Sequence, residues 1–413
     1  MPPRPRRHGH RPVRILIVYN TALDGRSVSG VQRHFAGVAK HWIDQGHAVD
    51  FFVARAAWPV FRDLYPQSKL VSSDNIFDAT SYLRQTWRYF LPYAWRMVTA
   101  SFAKIPSEYD VVYACGQAVF ETYPAKVIAR RLNSAFAAKV HHVLDAQASR
   151  SGLFDRLFLL SERWSVRLLN RRADVILCST PPVAADFARL ERRLGLTPRS
   201  TAVVGYGLDF SEVPYSADSP KEFDAVLLGR VHRHKGVFDV PALWKAVCTR
   251  KPDARLLVIG EGPDRAELER RCADAGLAER IRFTGGIPDA EKNRLMTRCR
   301  VGLSLSREEG WGLSVTECLG FGMPVVAMHL PIFDHVFPGQ LDLVPLGDAA
   351  RCAERVLYWL DNEPARLRQA QQGRTFIERY DYAPVAREEL AALQSGVDAH
   401  RRRRGMNHRG TET

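Results

Sequence analysis

The stretch that decides the fold is Ser306-Arg-Glu-Glu-Gly-Trp-Gly-Leu-Ser-Val-Thr-Glu-Cys-Leu-Gly-Phe-Gly-Met-Pro-Val-Val-Ala327. An apolar run over residues 301–305 comes before it, and Gly310 and Gly312 predict a turn. A helix is expected to begin near Leu313, and Pro324 opens a second β-branched run. Strand, glycine-rich turn, helix and strand in this order are typical of a βαβ unit in an open parallel sheet.

The predicted turn suits an anion. Glycines let the backbone approach a ligand closely, and the first turn of the helix presents unpaired N–H groups and its positive dipole end. Glu309 lies just before the turn and Glu317 lies on the helix. A carboxylate accepts hydrogen bonds from paired hydroxyls, so the stretch predicts a phosphate site between two sites for sugar hydroxyls.

A second strong pattern is Gly229-Arg-Val-His-Arg-His-Lys-Gly236. A predicted strand, residues 224–228, ends at Gly229, and a helix is expected to start near Gly236. Arg230 and Lys235 would then face the same cleft as two cations. A diphosphate carries about two negative charges at neutral pH, and two fixed cations can neutralise them as they build up on a leaving group.

The first half of the chain repeats the alternation of strand and helix. Residues 13–19, 48–54, 110–114, 136–140 and 173–179 read as buried strands. His141 and His142 directly follow one of them, at the strand end where open α/β sheets bind ligands. The run Gly260-Glu-Gly-Pro263 resembles a dinucleotide fingerprint, but Arg265 stands where the third glycine would be, which weakens a dehydrogenase interpretation.

Composition limits the class of protein. A chain of 413 residues is long enough for two domains. No run approaches the roughly 18 apolar residues of a membrane span, and residues 15–19 are too short for a signal peptide, so we expect a cytoplasmic protein. Seven cysteines without a C-x-x-C pair favour reduced thiols over a disulfide framework or a zinc site.

The net charge of +14 is concentrated in one half of the chain. Residues 1–200 contain 29 Lys and Arg against 15 Asp and Glu, whereas residues 201–413 contain 30 of each. This suggests an anionic partner for the first half, such as a membrane surface, a phosphorylated lipid acceptor or nucleic acid, although a basic composition without a partner is equally open. Residues 80–107 interleave aromatic and basic side chains, which fits either peripheral membrane contact or ordinary helix packing.

Together, E-G-W-G-L-S-V-T-E at residues 309–317, G-R-x4-K-G at residues 229–236 and the turn at residues 203–209 resemble the retaining glycosyltransferases of family 4. The resemblance covers roughly residues 13–393. It implies an α/β protein of the GT-B architecture, in which two Rossmann-like domains face each other across a cleft and a C-terminal helix crosses back to the first domain.

The resemblance also implies roles for individual residues. Glu309 would hold donor-sugar hydroxyls, Glu317 the ribose, and the backbone of Trp311, Gly312 and Leu313 the diphosphate together with Arg230 and Lys235. His142 would lie near the reacting sugar carbon, with His141 as the alternative, and an offset alignment would put Leu144 or Asp145 there. Backbone near Ile287 would read the nucleobase, and Gly30 belongs to a weaker match for the family's glycine-rich loop.

The domains expected on this basis are a disordered basic arm (1–12), an acceptor-side domain (13–200), a nucleotide-sugar domain (201–379), a crossing helix (about 380–396) and a disordered basic tail (397–413). No D-x-D pair occurs in the chain, so a metal-independent hexosyltransferase is expected, without a cofactor and with a UDP- or GDP-hexose donor.

The acceptor would be a glycan or a lipid-linked glycan at the inner face of the cell membrane, in cell-surface polysaccharide, lipopolysaccharide or glycolipid synthesis. The alternative is a non-catalytic protein that binds nucleotide sugars or nucleic acid on the same scaffold, although no nucleic-acid partner is expected. An epimerase is disfavoured because it needs further acid–base carboxylates.

Overall fold

The computed structural model describes residues 11–19, 30–54, 62, 70–73, 90–105, 108–144, 153–213 and 219–409. Within this part of the chain, the strands form two parallel sheets. Residues 1–10 of the predicted basic arm, Asp145, and residues 80–89 and 106–107 of the aromatic segment lie outside it.

The first sheet has seven strands in the order β3-β2-β1-β4-β5-β6-β7. The strands are β1 (Arg14–Tyr19), β2 (Ala48–Ala54), β3 (Leu70–Ser73), β4 (Val111–Ala114), β5 (Ala135–Val140), β6 (Val175–Cys178) and β7 (Ala202–Val203). The helices are α1 (Gly30–Asp44), α2 (Phe90–Ala100), α3 (Val119–Leu132), α4 (Leu153–Arg172) and α5 (Pro181–Arg193). The predicted domain boundary at residue 200 falls just before β7, which still pairs with β6.

The second sheet has six strands in the order β10-β9-β8-β11-β12-β13. They are β8 (Phe223–Leu228), β9 (Leu256–Ile259), β10 (Ile281–Gly285), β11 (Cys299–Ser304), β12 (Val325–Met328) and β13 (Asp342–Val344). The helices are α6 (Val240–Arg250), α7 (Arg265–Asp274), α8 (Asp289–Met296), α9 (Leu313–Gly320), α10 (Pro331–Val336), α11 (Ala349–Asp361), α12 (Glu363–Ile377) and α13 (Tyr382–Arg409).

Both sheets are doubly wound, as the sequence predicted. The strand order reverses between β1 and β4 in the first sheet and between β8 and β11 in the second. At such a reversal the connections diverge to opposite faces of the sheet and leave a crevice at the carboxyl ends of the two strands. The segments that follow β8 and β11 are residues 229–236 and 306–317, so the fold itself brings the two strongest sequence patterns together.

Helix α13 returns to the first domain. Its Leu390 and Leu393 join the core formed by β1, β2 and α1, and Trp42 Nε1 donates to the Ala386 carbonyl at 2.8 Å. The helix continues to Arg409, whereas the sequence predicted a disordered tail from residue 397. Acidic residues of the first domain hold this basic end: Arg401 pairs with Asp110 at 2.6 Å, and Arg403 pairs with Asp174.

Candidate functional site

A hollow lies at the carboxyl ends of β8 and β11, where the sheet topology predicts a ligand site. Gly229, Arg230 and Lys235 line one side of it. Ser304, Ser306 and Ser314 line the other, and the last of these lies in the first turn of α9. The two segments that the sequence analysis singled out therefore share one cavity, with two cations and three hydroxyls around it.

Close backbone packing at Gly236 brings these segments together. Gly236 has a left-handed φ of 64°, and a Cβ placed on it would lie 1.9 Å from the Leu305 carbonyl oxygen. Only glycine therefore fits at this point. The approach puts Lys235 Nζ 2.6 Å from Glu309 Oε1, and the Ser306 hydroxyl donates to the same carboxylate oxygen at 2.7 Å.

The Lys235–Glu309 pair joins one residue of the predicted phosphate site to one residue of the predicted site for sugar hydroxyls. Glu309 is largely buried, with 10% of its side chain exposed, while Lys235 is 36% exposed. The Glu309 carboxylate can accept from hydroxyls, and the Lys235 ammonium can donate to a phosphate. Each of the two groups offsets the charge of the other, so a ligand that carries both a hydroxyl and a phosphate can replace both halves of the pair.

The glycine-rich turn leads into α9 with the expected geometry. Gly312 is the residue before the helix and has φ 104°. The Trp311 side chain turns away from the hollow: its indole packs on Tyr206 and Tyr380, and Nε1 donates to Thr316 Oγ1 at 3.2 Å. Its side chain thus fills the domain junction. That the backbone of residues 311–313 faces a diphosphate stays a prediction.

Glu317 and Ile287 lie on neighbouring elements. Glu317 on α9 forms an ion pair with Lys292 of α8, and Lys292 Nζ is also 3.5 Å from Asp289 Oδ1. Asp289 in turn pairs with Arg33 of the first domain. Ile287 follows β10 and packs partly buried against the second-domain core. A chain of charges thus runs from the predicted ribose carboxylate across the cleft.

Three contacts join the first domain to the turn at residues 309–313. A Cβ placed on Gly310 would lie 2.3 Å from the His141 carbonyl oxygen and 3.2 Å from the His142 Cβ. A Cβ placed on Gly30 would lie 2.3 Å from Leu313 Cδ1. The Ser179 hydroxyl lies 3.2 Å from the Gly310 carbonyl oxygen. His142 and Gly30 therefore lie beside the turn at residues 309–313, which we call the donor turn after its predicted role. That either residue contacts a donor sugar stays a prediction.

The two histidines differ in what their side chains can do. His141 Nε2 lies 2.5 Å from the Cys115 carbonyl oxygen, and Nδ1 bonds to the Tyr206 hydroxyl. A carbonyl can only accept, so the neutral ring carries its proton on Nε2, and Tyr206 donates to Nδ1. Desolvation, reinforced by the positive charge of Lys139, lowers the pKa of His141 to about 3.

His141 is therefore a neutral structural residue at physiological pH, with both nitrogens occupied. The His142 carbonyl accepts from Gln117 Nε2 at 2.6 Å, which fixes its backbone beside Gly310. The offset alternative Leu144 is held by a bond from its N–H to Glu162 Oε1 at 2.8 Å. His142 lies beside Gly310, 3.2 Å from a Cβ placed there, and its position near the reacting sugar carbon stays a prediction.

The structure adds site residues that the sequence analysis did not single out. Ser304 is 3% exposed and lines the hollow, yet its hydroxyl has no hydrogen-bond partner in the described part of the chain. Lys292 is the partner of Glu317, and Gln117 anchors both histidines. A single serine, lysine or glutamine carries no distinctive spacing, so no sequence pattern marks these three residues.

Two negative findings concern the described ranges alone. Across these ranges, no three His, Cys, Asp or Glu side chains are grouped so that they could hold a metal ion. No helix from α1 to α13, within its described residues, combines the length and apolar character needed to cross a bilayer.

Family comparisons match both halves of the chain. The sequence model described as Glycosyltransferase Family 4 matches residues 28–212, and the one described as Glycosyl transferases group 1 matches residues 214–376. Two solved structures show the same fold. HepE of Anabaena, in complex with UDP and glucose, has a TM-score of 0.72 at 17% identity, covering 93% of this chain and 100% of that one. Sucrose-phosphate synthase of Thermosynechococcus elongatus has a TM-score of 0.73 at 15% identity, covering 93% and 98%.

Curated relatives match over shorter stretches. A phosphatidyl-myo-inositol mannosyltransferase of Mycobacterium leprae is 32% identical over 190 residues, which is 45% of this chain and 50% of the relative. A 2-deoxystreptamine glucosyltransferase of Streptomyces kanamyceticus is 29% identical over 215 residues, 50% of each chain. The chain spans about half the length of these relatives. The predicted two-domain fold and the predicted family are both confirmed.

Proposed function

Because this chain belongs to glycosyltransferase family 4, we propose that it transfers a hexose from a nucleotide-diphosphate sugar to a glycan or lipid-linked acceptor, with retention of configuration and without a metal ion. The observation that carries the proposal is the hollow that both segments line, together with the 2.6 Å ion pair between Lys235, which lines the hollow, and Glu309. It supplies cations for a diphosphate and a carboxylate for sugar hydroxyls within one short distance.

The donor would lie along the hollow with its diphosphate against Arg230, Lys235 and the start of α9. The serine hydroxyls that line the hollow, including the unpartnered Ser304, would donate to phosphate oxygens. The sugar would displace the ammonium of Lys235 from Glu309, which then accepts from sugar hydroxyls. Glu317 would exchange Lys292 for the ribose hydroxyls, and backbone near Ile287 would contact the base.

In the transfer step, an acceptor hydroxyl oxygen forms a bond to the anomeric carbon while the bond from that carbon to the phosphate oxygen breaks. The hydroxyl proton passes to the departing phosphate oxygen, so both events occur on the same face. The negative charge that develops on the diphosphate lies beside Arg230 and Lys235, and fixed cations in a partly enclosed site stabilise that charge without reorganising. The His142 backbone would border the positively charged sugar.

The test begins with a thermal-shift panel of UDP-, GDP- and ADP-sugars on the purified protein, followed by measurement of transfer and donor hydrolysis. Lys235→Met is expected to lower turnover at least about a hundredfold, because removing a preorganised cation at a developing anion typically costs that much. Glu309→Gln is expected to lower turnover about tenfold or more, because charge-assisted bonds to sugar hydroxyls are lost. Their melting temperatures should stay close to that of the wild type.

The chain offers a matched control. Lys251 forms an ion pair with Asp361 at 2.7 Å, and its side chain is 37% exposed, almost the same as Lys235. Lys251→Met should therefore leave turnover unchanged. Full activity in both Lys235→Met and Glu309→Gln would overturn the proposal, and donor binding without transfer or hydrolysis would favour a non-catalytic binding protein.

We also propose that the protein works at an anionic membrane surface. Helices α2, α3 and α4 form one layer on the first sheet, and their outer faces expose large apolar side chains. Phe102 after α2 is 78% exposed and Trp164 on α4 is 71% exposed, while Lys104 and Arg156 are exposed nearby in sequence. Aromatic rings with adjacent cations favour the boundary between lipid headgroups and acyl chains.

This localisation is tested by sedimenting the protein with vesicles. Vesicles that contain anionic phosphatidylglycerol should retain the wild type more strongly than pure phosphatidylcholine vesicles, and Phe102→Ser with Trp164→Ser should weaken retention. Leu346→Ser is the control because Leu346 is 51% exposed on the second domain. Equal retention of all variants, or none on anionic vesicles, would refute membrane docking without affecting the transferase proposal.

A further inference from the structure

A cluster of polar side chains is buried inside the first domain, away from the hollow. We define the buried polar cluster as His34, Lys139, Glu389 and Tyr113. The side chains of the first three are 0% exposed, and Tyr113 is fully buried as well. They come from α1, β5, α13 and β4, so the cluster joins the C-terminal helix to the first sheet.

The cluster centres on the Glu389 carboxylate. Lys139 Nζ lies 2.7 Å from Oε2, His34 Nε2 lies 2.9 Å from the same oxygen, and the Tyr113 hydroxyl donates to Oε1 at 2.6 Å. Burial opposes ionisation of Glu389, but the charges and hydrogen bonds of Lys139 and His34 outweigh it and lower its pKa below the ordinary value. Glu389 is thus an ionised carboxylate with three hydrogen-bond partners.

Stability alone does not explain such a cluster. Burying an ion pair costs desolvation energy, and apolar side chains of similar volume often serve a core equally well or better. The surroundings here are the apolar core of β1, β4 and α1, where Phe35 and Leu393 are both 0% exposed. A role of the cluster beyond stability should therefore be visible in its other contacts.

What it holds is the linker between the domains, residues 205–207. Lys139 Nζ donates to the Gly205 carbonyl at 3.1 Å, and the Gly207 N–H points at His34 Nδ1 at 3.5 Å. Lys139 Nζ also lies 5.0 Å from the centre of the Tyr206 ring, a cation–π contact. Each of the three linker residues thus contacts a cluster member.

The linker residues also contact residues that border the cleft between the domains. The Tyr206 hydroxyl bonds to His141 Nδ1, and the His141 carbonyl lies against Gly310 in the donor turn. The Trp311 indole also packs against the Tyr206 ring, and a Cβ on Gly205 would lie 2.3 Å from the indole. Tyr206 therefore contacts both Trp311 of the donor turn and His141, whose carbonyl lies against Gly310 of the same turn.

We propose that Lys139 and Glu389 are positioning residues for the transfer reaction: by fixing linker residues 205–207 from inside the first domain, they set how His141 and His142 meet the donor turn at Gly310. They touch no substrate, so their effect passes through Tyr206. The activity readout of this inference rests on the proposed function, whereas its structural readout does not.

The decisive variant is the double substitution Lys139→Met with Glu389→Leu. The single Lys139→Met variant leaves a buried unpaired carboxylate and is expected to be strongly destabilised, whereas the double variant removes both charges and is expected to fold. Tyr206→Phe is a milder second variant that keeps the ring and deletes only the hydroxyl on His141. Arg401→Met is the matched control, because Arg401 also ties α13 to the first domain, at 2.6 Å from Asp110, but on the exposed surface.

Four quantities are measured: melting temperature, UDP dissociation constant, kcat, and amide hydrogen exchange of residues 204–208 and 308–313. In the double variant, exchange in both segments should rise about tenfold or more and kcat should fall about tenfold or more, since misplacement of about 1 Å costs up to a hundredfold. The UDP dissociation constant should stay within about threefold, because the residues predicted to hold the diphosphate, the ribose and the base lie in the second domain. Tyr206→Phe should raise exchange only in residues 308–313, and Arg401→Met should change neither segment.

Wild-type exchange in residues 204–208 and 308–313 of a folded double variant would overturn the inference. If the double variant does not fold, Tyr206→Phe decides, and unchanged exchange of residues 308–313 in that variant overturns the inference. If the wild type shows no turnover at all, the proposed function fails, while hydrogen exchange still decides whether the buried polar cluster fixes the linker.

Discussion

Replacing Gly236 by alanine tests the geometry on which the site depends. The new Cβ would lie 1.9 Å from the Leu305 carbonyl oxygen, far inside contact distance, and the residue must keep φ 64°. The left-handed conformation costs about 1–2 kcal/mol for a residue with a Cβ. Forcing an extra group into close packing destabilises the folded state by about a further 1–3 kcal/mol. The lower conformational entropy of the unfolded chain offsets about 0.4–1 kcal/mol of this cost.

Gly276→Ala isolates the packing part of this cost. Gly276 has φ 76° and lies in the same domain, but nothing lies within 4 Å of an added Cβ. It should therefore show the conformational cost without the clash. The unfolding free energy of the second domain should be about 1–3 kcal/mol lower in Gly236→Ala than in Gly276→Ala. This corresponds to a melting temperature about 2–12 °C lower for a domain of this size.

Function provides the second readout for the same pair. If Gly236 cannot stay against Leu305, Lys235 moves away from Glu309 and the hollow widens. Loss of one charge-assisted bond to a phosphate, about 1.5–3 kcal/mol, would weaken UDP binding by about tenfold or more in isothermal titration. Gly276→Ala should bind UDP like the wild type. Equal stability and equal UDP affinity of the two variants would refute the argument that this contact builds the site.

Three further predictions follow from the cleft. Gly310→Ala should lower kcat about tenfold to a hundredfold, because its Cβ would lie 2.3 Å from the His141 carbonyl oxygen. Its melting temperature should stay within about 2 °C of the wild type, because the two domains can separate slightly without unfolding. Unchanged kcat would contradict this prediction. His141 has a pKa of about 3 in the folded protein, whereas its pKa in the unfolded chain is about 6.5. Between these values only the unfolded chain binds a proton at this residue. The unfolding free energy should therefore fall as pH drops from about 6.5 toward 3, by at most about 1.4 kcal/mol per pH unit. Urea titrations at pH 7, 6 and 5 should show a shallower slope for His141→Gln. Dialysis against EDTA should leave transfer within about twofold, and a large loss restored by Mg²⁺ would show that Arg230 and Lys235 do not replace a cation.

The sequence was sufficient for features that repeat along the chain or have fixed spacing. Buried strands such as residues 136–140 and the glycine-punctuated turn at residues 309–313 follow from local propensity, so the doubly wound domains could be predicted. The meeting of the segments 229–236 and 306–317 at one hollow also followed, because parallel strands end at a common edge. The C-terminal helix was misjudged beyond residue 396 because its anchors, Asp110 and Asp174, lie far away in sequence.

The sequence by itself determined which residues can supply charge, hydroxyls and turn geometry, since these depend on residue type and near neighbours. Only the tertiary structure decided which of two adjacent histidines is committed to structural bonds, because that depends on Tyr206 and Cys115 from other elements. It also decided that Lys139 and Glu389, 250 positions apart, form one buried pair beneath the linker. Contacts across such a separation are set by how the two sheets and the crossing helix pack, and no local pattern encodes them.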